Sequence, residues 1–332
     1  MLRITVSKTG KGFERITEAL LAVQNGTEEV VIDLEPGIYR EKVEIRRSHV
    51  TLRGMGAPEE TVIEFGDYAK ASMPDGTLRQ TFRSYVMLLD GDHLTLENLT
   101  VRNTAFPRKD VGQALALYAD GDQLLVKNCH LESYQDTLFT GPLPPAPMTP
   151  GSFVGPKEFA ERKLGKQRYE NCVISGDVDF IFGSAQALFS NCEIVSRNGM
   201  TDADQAPKDG ILGYVTAAST PEGSPVGYVF VDCKFTSDNC PPRSVYLGRP
   251  WRNFAKTILI RCELGKHIHP EGFHDWGKTE SHETIDYGEC QCFGEGADDG
   301  RRAIFVRRVG EKEAEQLLKF FEKASVFLMK RI

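Results

Sequence analysis

An all-β fold, a parallel β-helix wound as a single-stranded solenoid, is what this sequence predicts, and three observations point to it. Six segments share one form: Thr95-Leu-Glu-Asn-Leu-Thr-Val101, Leu124-Leu-Val-Lys-Asn-Cys-His-Leu131, Arg168-Tyr-Glu-Asn-Cys-Val-Ile174, Leu188-Phe-Ser-Asn-Cys-Glu-Ile194, Tyr228-Val-Phe-Val-Asp-Cys-Lys-Phe235 and Thr257-Ile-Leu-Ile-Arg-Cys-Glu-Leu264. Each is a short apolar or alternating run with a polar residue just before a small buried one, the mark of units that bury their inner face only by stacking. The shortest interval, Cys172 to Cys192, sets a coil of about twenty residues. Helical patterns are few and confined to the two ends.

Taken in chain order, the elements fit one domain over residues 1–332. Residues 13–23 carry Ile16, Leu20 and Val23 at helical spacing and read as a cap on the first coil. Residues 140–166 begin Thr140-Gly-Pro-Leu-Pro-Pro-Ala-Pro-Met-Thr-Pro-Gly151; prolines cannot donate to a ladder, so this stretch is a loop excursion. Residues 196–209 and 219–226, rich in Asp, Gly, Ser and Pro, read as further loops. Residues 311–329 place Leu317, Leu318, Phe321 and Phe327 on one face of a helix that packs on the solenoid's flank.

Composition excludes several classes of function. The chain has 332 residues, 40% of them hydrophobic, and a formal charge of −7 with its basic residues scattered, so no nucleic-acid or anionic-membrane footprint is expected. No apolar run reaches the roughly 18 residues of a membrane-spanning helix. The start, Met-Leu-Arg-Ile-Thr-Val, lacks the features of a secretory signal. Five of the eight cysteines (Cys129, Cys172, Cys192, Cys233 and Cys262) occupy one place in the repeat and read as a reduced, buried column, which favours a cytoplasmic setting over a secreted one. Cys290-Gln-Cys292 lacks zinc-ligand spacing, and His267, His269 and His274 lack a surrounding carboxylate or cysteine pattern, so no metal is expected.

Two stretches carry the chemistry. Cys129-His-Leu-Glu-Ser-Tyr-Gln-Asp136 and Cys172-Val-Ile-Ser-Gly-Asp-Val-Asp179 each set an aspartate seven residues after a column cysteine. On successive coils, about 4.8 Å apart, Asp136 and Asp179 become neighbours. Two carboxylates that close diverge in acidity, one towards an acid and the other towards a nucleophile or base. Taken alone, aspartates at coil corners also serve to satisfy turn amides. Asp177 is a third carboxylate, either turned into solvent or turned inwards to perturb the pair.

These residues resemble those of the pectin methylesterases over roughly Thr5 to Val309. The resemblance rests on Gly37-Ile-Tyr-Arg-Glu41, Gly112-Gln-Ala-Leu-Ala-Leu117, Tyr134-Gln-Asp-Thr-Leu-Phe139, Gly176-Asp-Val-Asp-Phe-Ile-Phe-Gly183 and Tyr246-Leu-Gly-Arg-Pro-Trp251, in that order. It implies a right-handed β-helix and hydrolysis of methyl-esterified galacturonate, without a cofactor. It also implies roles: Asp179 as nucleophile, Asp136 as general acid and then base, Gln113 and Gln135 as oxyanion donors, Arg249 holding the nucleophile ionised. Trp251 and Phe182, and more weakly Phe139 and Trp276, fit sugar contacts.

Departures from the family pattern bear on substrate. Phe273 and Phe305 stand where tryptophan is familiar, and the proline-rich excursion is longer than in plant members. Together with the missing signal they point to short methylated oligogalacturonides handled by a monomer inside the cell. Rival readings are a lyase or glycosidase on the same sugar, the same machinery on another ester or thioester, and a non-catalytic carbohydrate-binding solenoid.

Overall fold

The structure, a computed structural model, describes residues 1–10, 12–201, 204, 207–297 and 300–329, with side chains through Glu322. Among the described residues the strands form three parallel sheets, of eleven, eight and seven strands. The chain visits them in rotation. Leu124–Lys127 lies in the first sheet, His130–Glu132 in the second and Leu138–Thr140 in the third, and Lys166–Glu170 then begins the next coil in the first. Every coil stacks on the last in parallel register, for example Gln167 on Leu124 and Ile174 on Leu131. Right-handed crossovers between parallel strands give the helix its hand.

The corner between the first and second sheets explains the repeated polar residue. Asn98, Asn128, Asn171, Asn191, Asp232, Arg261 and Gln291 all have φ between +50° and +55°. Asn and Asp tolerate this left-handed conformation because their short polar side chains bond locally. The Asn128 amide, for instance, donates to Asn98 Oδ1 at 3.1 Å. The next residue turns inwards, so Cys129, Cys172, Cys192, Cys233 and Cys262 form a buried column of free thiols. Cys292 follows Gln291 and continues that column, a membership that its spacing from Cys290 obscures. A second ladder stacks Tyr169, Phe189 and Phe230 at 4.7 and 4.4 Å between ring centroids.

One end of the solenoid is capped and one flank is covered. Helix α1 spans Ile16–Val23 and buries Ile16, Ala19 and Val23 against the first coil. It starts later than expected because Phe13 is bridged to Val6 and its amide donates to Thr5. The Glu41 carboxylate accepts the Ile16 and Thr17 amides and so caps the helix. Helix α2 is the short turn Arg108–Val111. Helix α3 spans Glu311–Met329, with Ala314 and Phe321 packed on Leu188, Val229, Ile258 and Ile260 of the first sheet. The expected contact of Phe327 lies outside the described side chains.

Loop boundaries shift by a few residues. Thr140 ends a strand and Lys166 begins one, so the excursion is 141–165. Strand Glu193–Arg197 carries the next loop's start beyond 196, and that loop continues to 212.

Because the corner needs a left-handed residue, replacing Asn171 with Val should lower stability by about 1–2 kcal/mol. Asn171→Gly should cost less, since glycine adopts this conformation without strain. Denaturant midpoints at constant slope test both.

Candidate active site

Asp136 sits at the corner between His130–Glu132 and Leu138–Thr140, and Asp179 is the second residue of Val178–Gly183. Leu138 pairs with Ile181, so the two aspartates hold the same offset on adjacent coils. Both backbones are left-handed, at φ +66° and +50°. Against the following strand the register slips between Val178 and Ile181, which puts Asp179 in a β-bulge. A bulge re-aims a side chain that regular pleating would bury or splay. The Asp136 amide donates to Val178 O at 3.0 Å and ties the two turns together.

Arg249 follows Val245–Gly248, two coils further on, and reaches back to Asp179. Its Nε and Nη2 donate to Oδ1 at 2.8 Å and Oδ2 at 2.7 Å, a bidentate charge-assisted pair. The guanidinium is held between the Tyr214 and Trp276 rings, 3.9 and 3.7 Å from their centroids. That sandwich fixes its plane.

The pair is electrostatically unequal. Burial pushes the Asp179 carboxyl up, and Arg249 and Lys278 draw it back. Burial and then the neighbouring Asp179 push Asp136 well above the ordinary carboxylate range, and Asp177 adds to this. The stable state is therefore an ionised Asp179 beside a protonated Asp136.

Both aspartates open into a cleft of about 300 Å³. Gln113, Gln135, Phe182, Trp251 and Trp276, all singled out from sequence, also line it. Gln113 follows α2 and Gly112, and its carbonyl accepts the Ala69 amide at 2.8 Å. The Ala114 amide donates to the Gln135 carbonyl at 3.1 Å, which stitches the two glutamine turns together. Phe139 is the exception: it has no solvent exposure and lies in a second layer against Phe82, Tyr118 and Phe182. Its strand position points it under the floor, so it supports the cleft from beneath.

Several lining residues escaped the sequence reading. Phe82 arrives from a short helical turn, and Met148, Thr149, Ser152 and Phe153 from the excursion. Phe153 packs edge-on against Phe82 and Trp251. Irregular loops have no periodicity to betray an inward side chain; only proximity of the excursion to Asp136 in sequence hinted at these residues.

Asp177 turns inwards. It is 1% exposed, accepts the Val178 amide at 2.6 Å and faces Arg108 Nε of α2 at 3.3 Å. Burial pushes it up to about 6. Of the three histidines, His267 is buried, while His269 and His274 both pack against the Tyr246 ring and His274 also accepts the Trp276 amide at 2.8 Å.

The pectinesterase family profile matches residues 3–142 and 161–325. A putative pectinesterase/pectinesterase inhibitor 43 of Arabidopsis thaliana is 31% identical over 94% of this chain. The chain spans 41% of that relative and 52% of a second, pectinesterase/pectinesterase inhibitor 18, also of Arabidopsis thaliana, so it covers about half the length of such relatives. Pectin methylesterase PemA from Erwinia chrysanthemi superposes with a TM-score of 0.77 at 25% identity, covering 95% of each chain. A pectin methylesterase in complex with a hexasaccharide does so at 0.77 and 26%, again covering 95% of each chain. With its right-handed parallel β-helix and these matches, the chain belongs to the pectinesterase family.

Proposed function

We propose that this protein hydrolyses methyl esters of galacturonate and releases methanol through an acyl-enzyme on Asp179. The observation that carries this reading is the unequal pair. One carboxylate is clamped by a bidentate arginine, and its neighbour has no cation bonded to it among the described residues. Asp179 attacks the C6 carbonyl carbon, and the developing oxyanion takes hydrogen bonds from the Gln113 and Gln135 carboxamides. Asp136 gives its proton to methoxide as the C–O bond breaks, so methanol leaves and an anhydride remains. The resulting Asp136 carboxylate then takes a proton from water, whose oxygen adds to the acyl carbon. Collapse returns an ionised Asp179, a protonated Asp136 and a galacturonic acid unit, which gives its proton to solvent as it leaves.

The excursion favours short methylated oligogalacturonides as substrates. Its residues 143–160 fall outside the family profile and yet contribute four side chains to the cleft. It is also braced. Arg162 donates to the carbonyls of Pro144, Lys157, Glu158 and Ala160, and Lys157 pairs with Asp90. A braced wall limits how much polymer the cleft accommodates. Eight unpaired thiols, seven of them buried, suit a reducing compartment and a cytoplasmic monomer acting on such fragments. Among the described residues no helix is long and apolar enough to cross a membrane.

Asp179→Ala should cut methanol release by roughly 10³-fold or more, with the β-sheet circular dichroism retained; a variant that still turns over would sink the nucleophile assignment. Replacing residues 143–160 with a short Gly-Ser turn should shift kcat/KM from methylated trimers towards high-methoxyl pectin by about fivefold or more. Asp177, ionised above pH about 6, raises Asp136 and so extends activity to higher pH. Asp177→Asn should therefore move the alkaline limb of the kcat/KM profile to lower pH. The same carboxyl has a folded-state pKa above its ordinary value of 3.8, so it subtracts stability as pH rises from about 4 to 6. In the asparagine variant that decline in melting temperature should flatten.

A further inference from the structure

We propose that Lys278 is a positioning residue of the esterase centre. It pins the turn that carries Trp276 to the segment Arg249–Trp251, and so keeps the arginine clamp on Asp179 and the Trp251 face of the cleft in one place. This rests on the esterase reading above and adds to it a residue outside the motifs that carry the resemblance.

Arg249, Pro250 and Trp251 follow the strand Val245–Gly248 as irregular chain. Lys278 Nζ donates to Pro250 O at 2.6 Å and to Trp251 O at 3.1 Å, so one ammonium gathers two successive carbonyls. The same Nζ lies 4.9 Å from the centroid of the Trp276 ring, which also lies 3.7 Å from the Arg249 guanidinium. Trp276 is 37% exposed and left-handed at φ +58°, so packing alone does not hold its ring. Its turn is closed by the Lys278 amide on Asp275 O at 3.0 Å and by the Gly277 amide on Asp275 Oδ1 at 2.8 Å. Lys278 therefore closes the turn with its backbone and anchors it to the arginine segment with its side chain. Without that anchor, one of the two rings that sandwich Arg249 is free to swing out.

Charge adds to the clasp. Asp179 is faced by Arg249 and Lys278, by Asp136, and by the Tyr214 and Tyr287 phenols, which burial keeps neutral. Lys278 is the second cation of this set, and it holds the Asp179 carboxyl down after Arg249. Burial lowers the pKa of Lys278 most; Arg252 and Arg249 lower it further, and Glu280 and Asp179 raise it. A half-buried ammonium gives up hydration, and two carbonyls and a ring face return part of it. A neutral side chain of similar length would fill the volume and lose both the carbonyl bonds and the field at Asp179.

The test uses the full chain and fully methylated trigalacturonate, and it exploits the fact that Trp251 and Trp276, the chain's two tryptophans, both contact Lys278. Lys278→Met should lower kcat and kcat/KM together by about tenfold. The acid limb of its kcat/KM profile should move to higher pH, because losing a cation raises Asp179, which must be ionised to attack. The alkaline limb should stay, since Lys278 is not among the groups that act on Asp136. Tryptophan emission should shift to the red and become more quenchable by acrylamide as the Trp276 turn loosens. Lys278→Arg, which keeps the charge and the donors, should restore the limb and most of the rate. If the methionine variant misfolds, Lys278→Gln, neutral but still an N–H donor, should show the displaced limb. A wild-type rate in Lys278→Met, a loss with either the limb or the emission unmoved, or a loss that arginine does not recover would overturn the proposal. Absence of methanol release by the wild-type chain would instead sink the esterase reading, while the emission comparison still reports whether the clasp exists.

Discussion

Parallel register between successive coils is the constraint on which the whole site depends. A solenoid coil has no core of its own, so its inner residues must sit above and below matching residues of its neighbours. The thiol column and the Tyr169–Phe189–Phe230 ladder are two expressions of that matching. Asp136 and Asp179 are a third, because pairing of Leu138 with Ile181 leaves no freedom in how the two corners align. A slip of one residue in a strand would send alternate side chains to the opposite face. The packing that stabilises the fold and the geometry that unites the carboxylates are one requirement.

Within that frame the polar environment is graded over a few ångströms. Asp179 has a bidentate cation, Asp136 has a like charge for a neighbour, and Asp177 faces Arg108 at longer range. All three are buried, so small differences in partner decide which keeps its proton. Arg249 contributes because aromatic faces on both sides hold it, which leaves its fork little room to turn away from Asp179.

What could be read from sequence follows from how each residue signals. The repeat and the two aspartates were legible because a stacked coil imposes the same small set of residue types at each corner. Arg249, Gln113 and Gln135 were legible only through resemblance, since nothing in their spacing says that they converge. Phe139 was misplaced because an aromatic next to the Asp136 turn reads alike whether its strand aims it up or down; burial settles it below the floor. Cys292 hid behind an unusual pair, and Asp177 could not be oriented without knowing that Arg108 waits two coils away. The excursion's Phe153 was silent, as a loop residue whose partners are rings distant in sequence.

The excursion has a consequence for how much change the rim of the cleft can absorb. It leaves the solenoid after Thr140 and rejoins at Lys166, and the strands on either side keep the same pairing as coils joined by a few residues. Insertions at that corner are therefore invisible to the scaffold beneath. A longer or shorter excursion would reshape the rim of the cleft and leave both aspartate corners where stacking puts them.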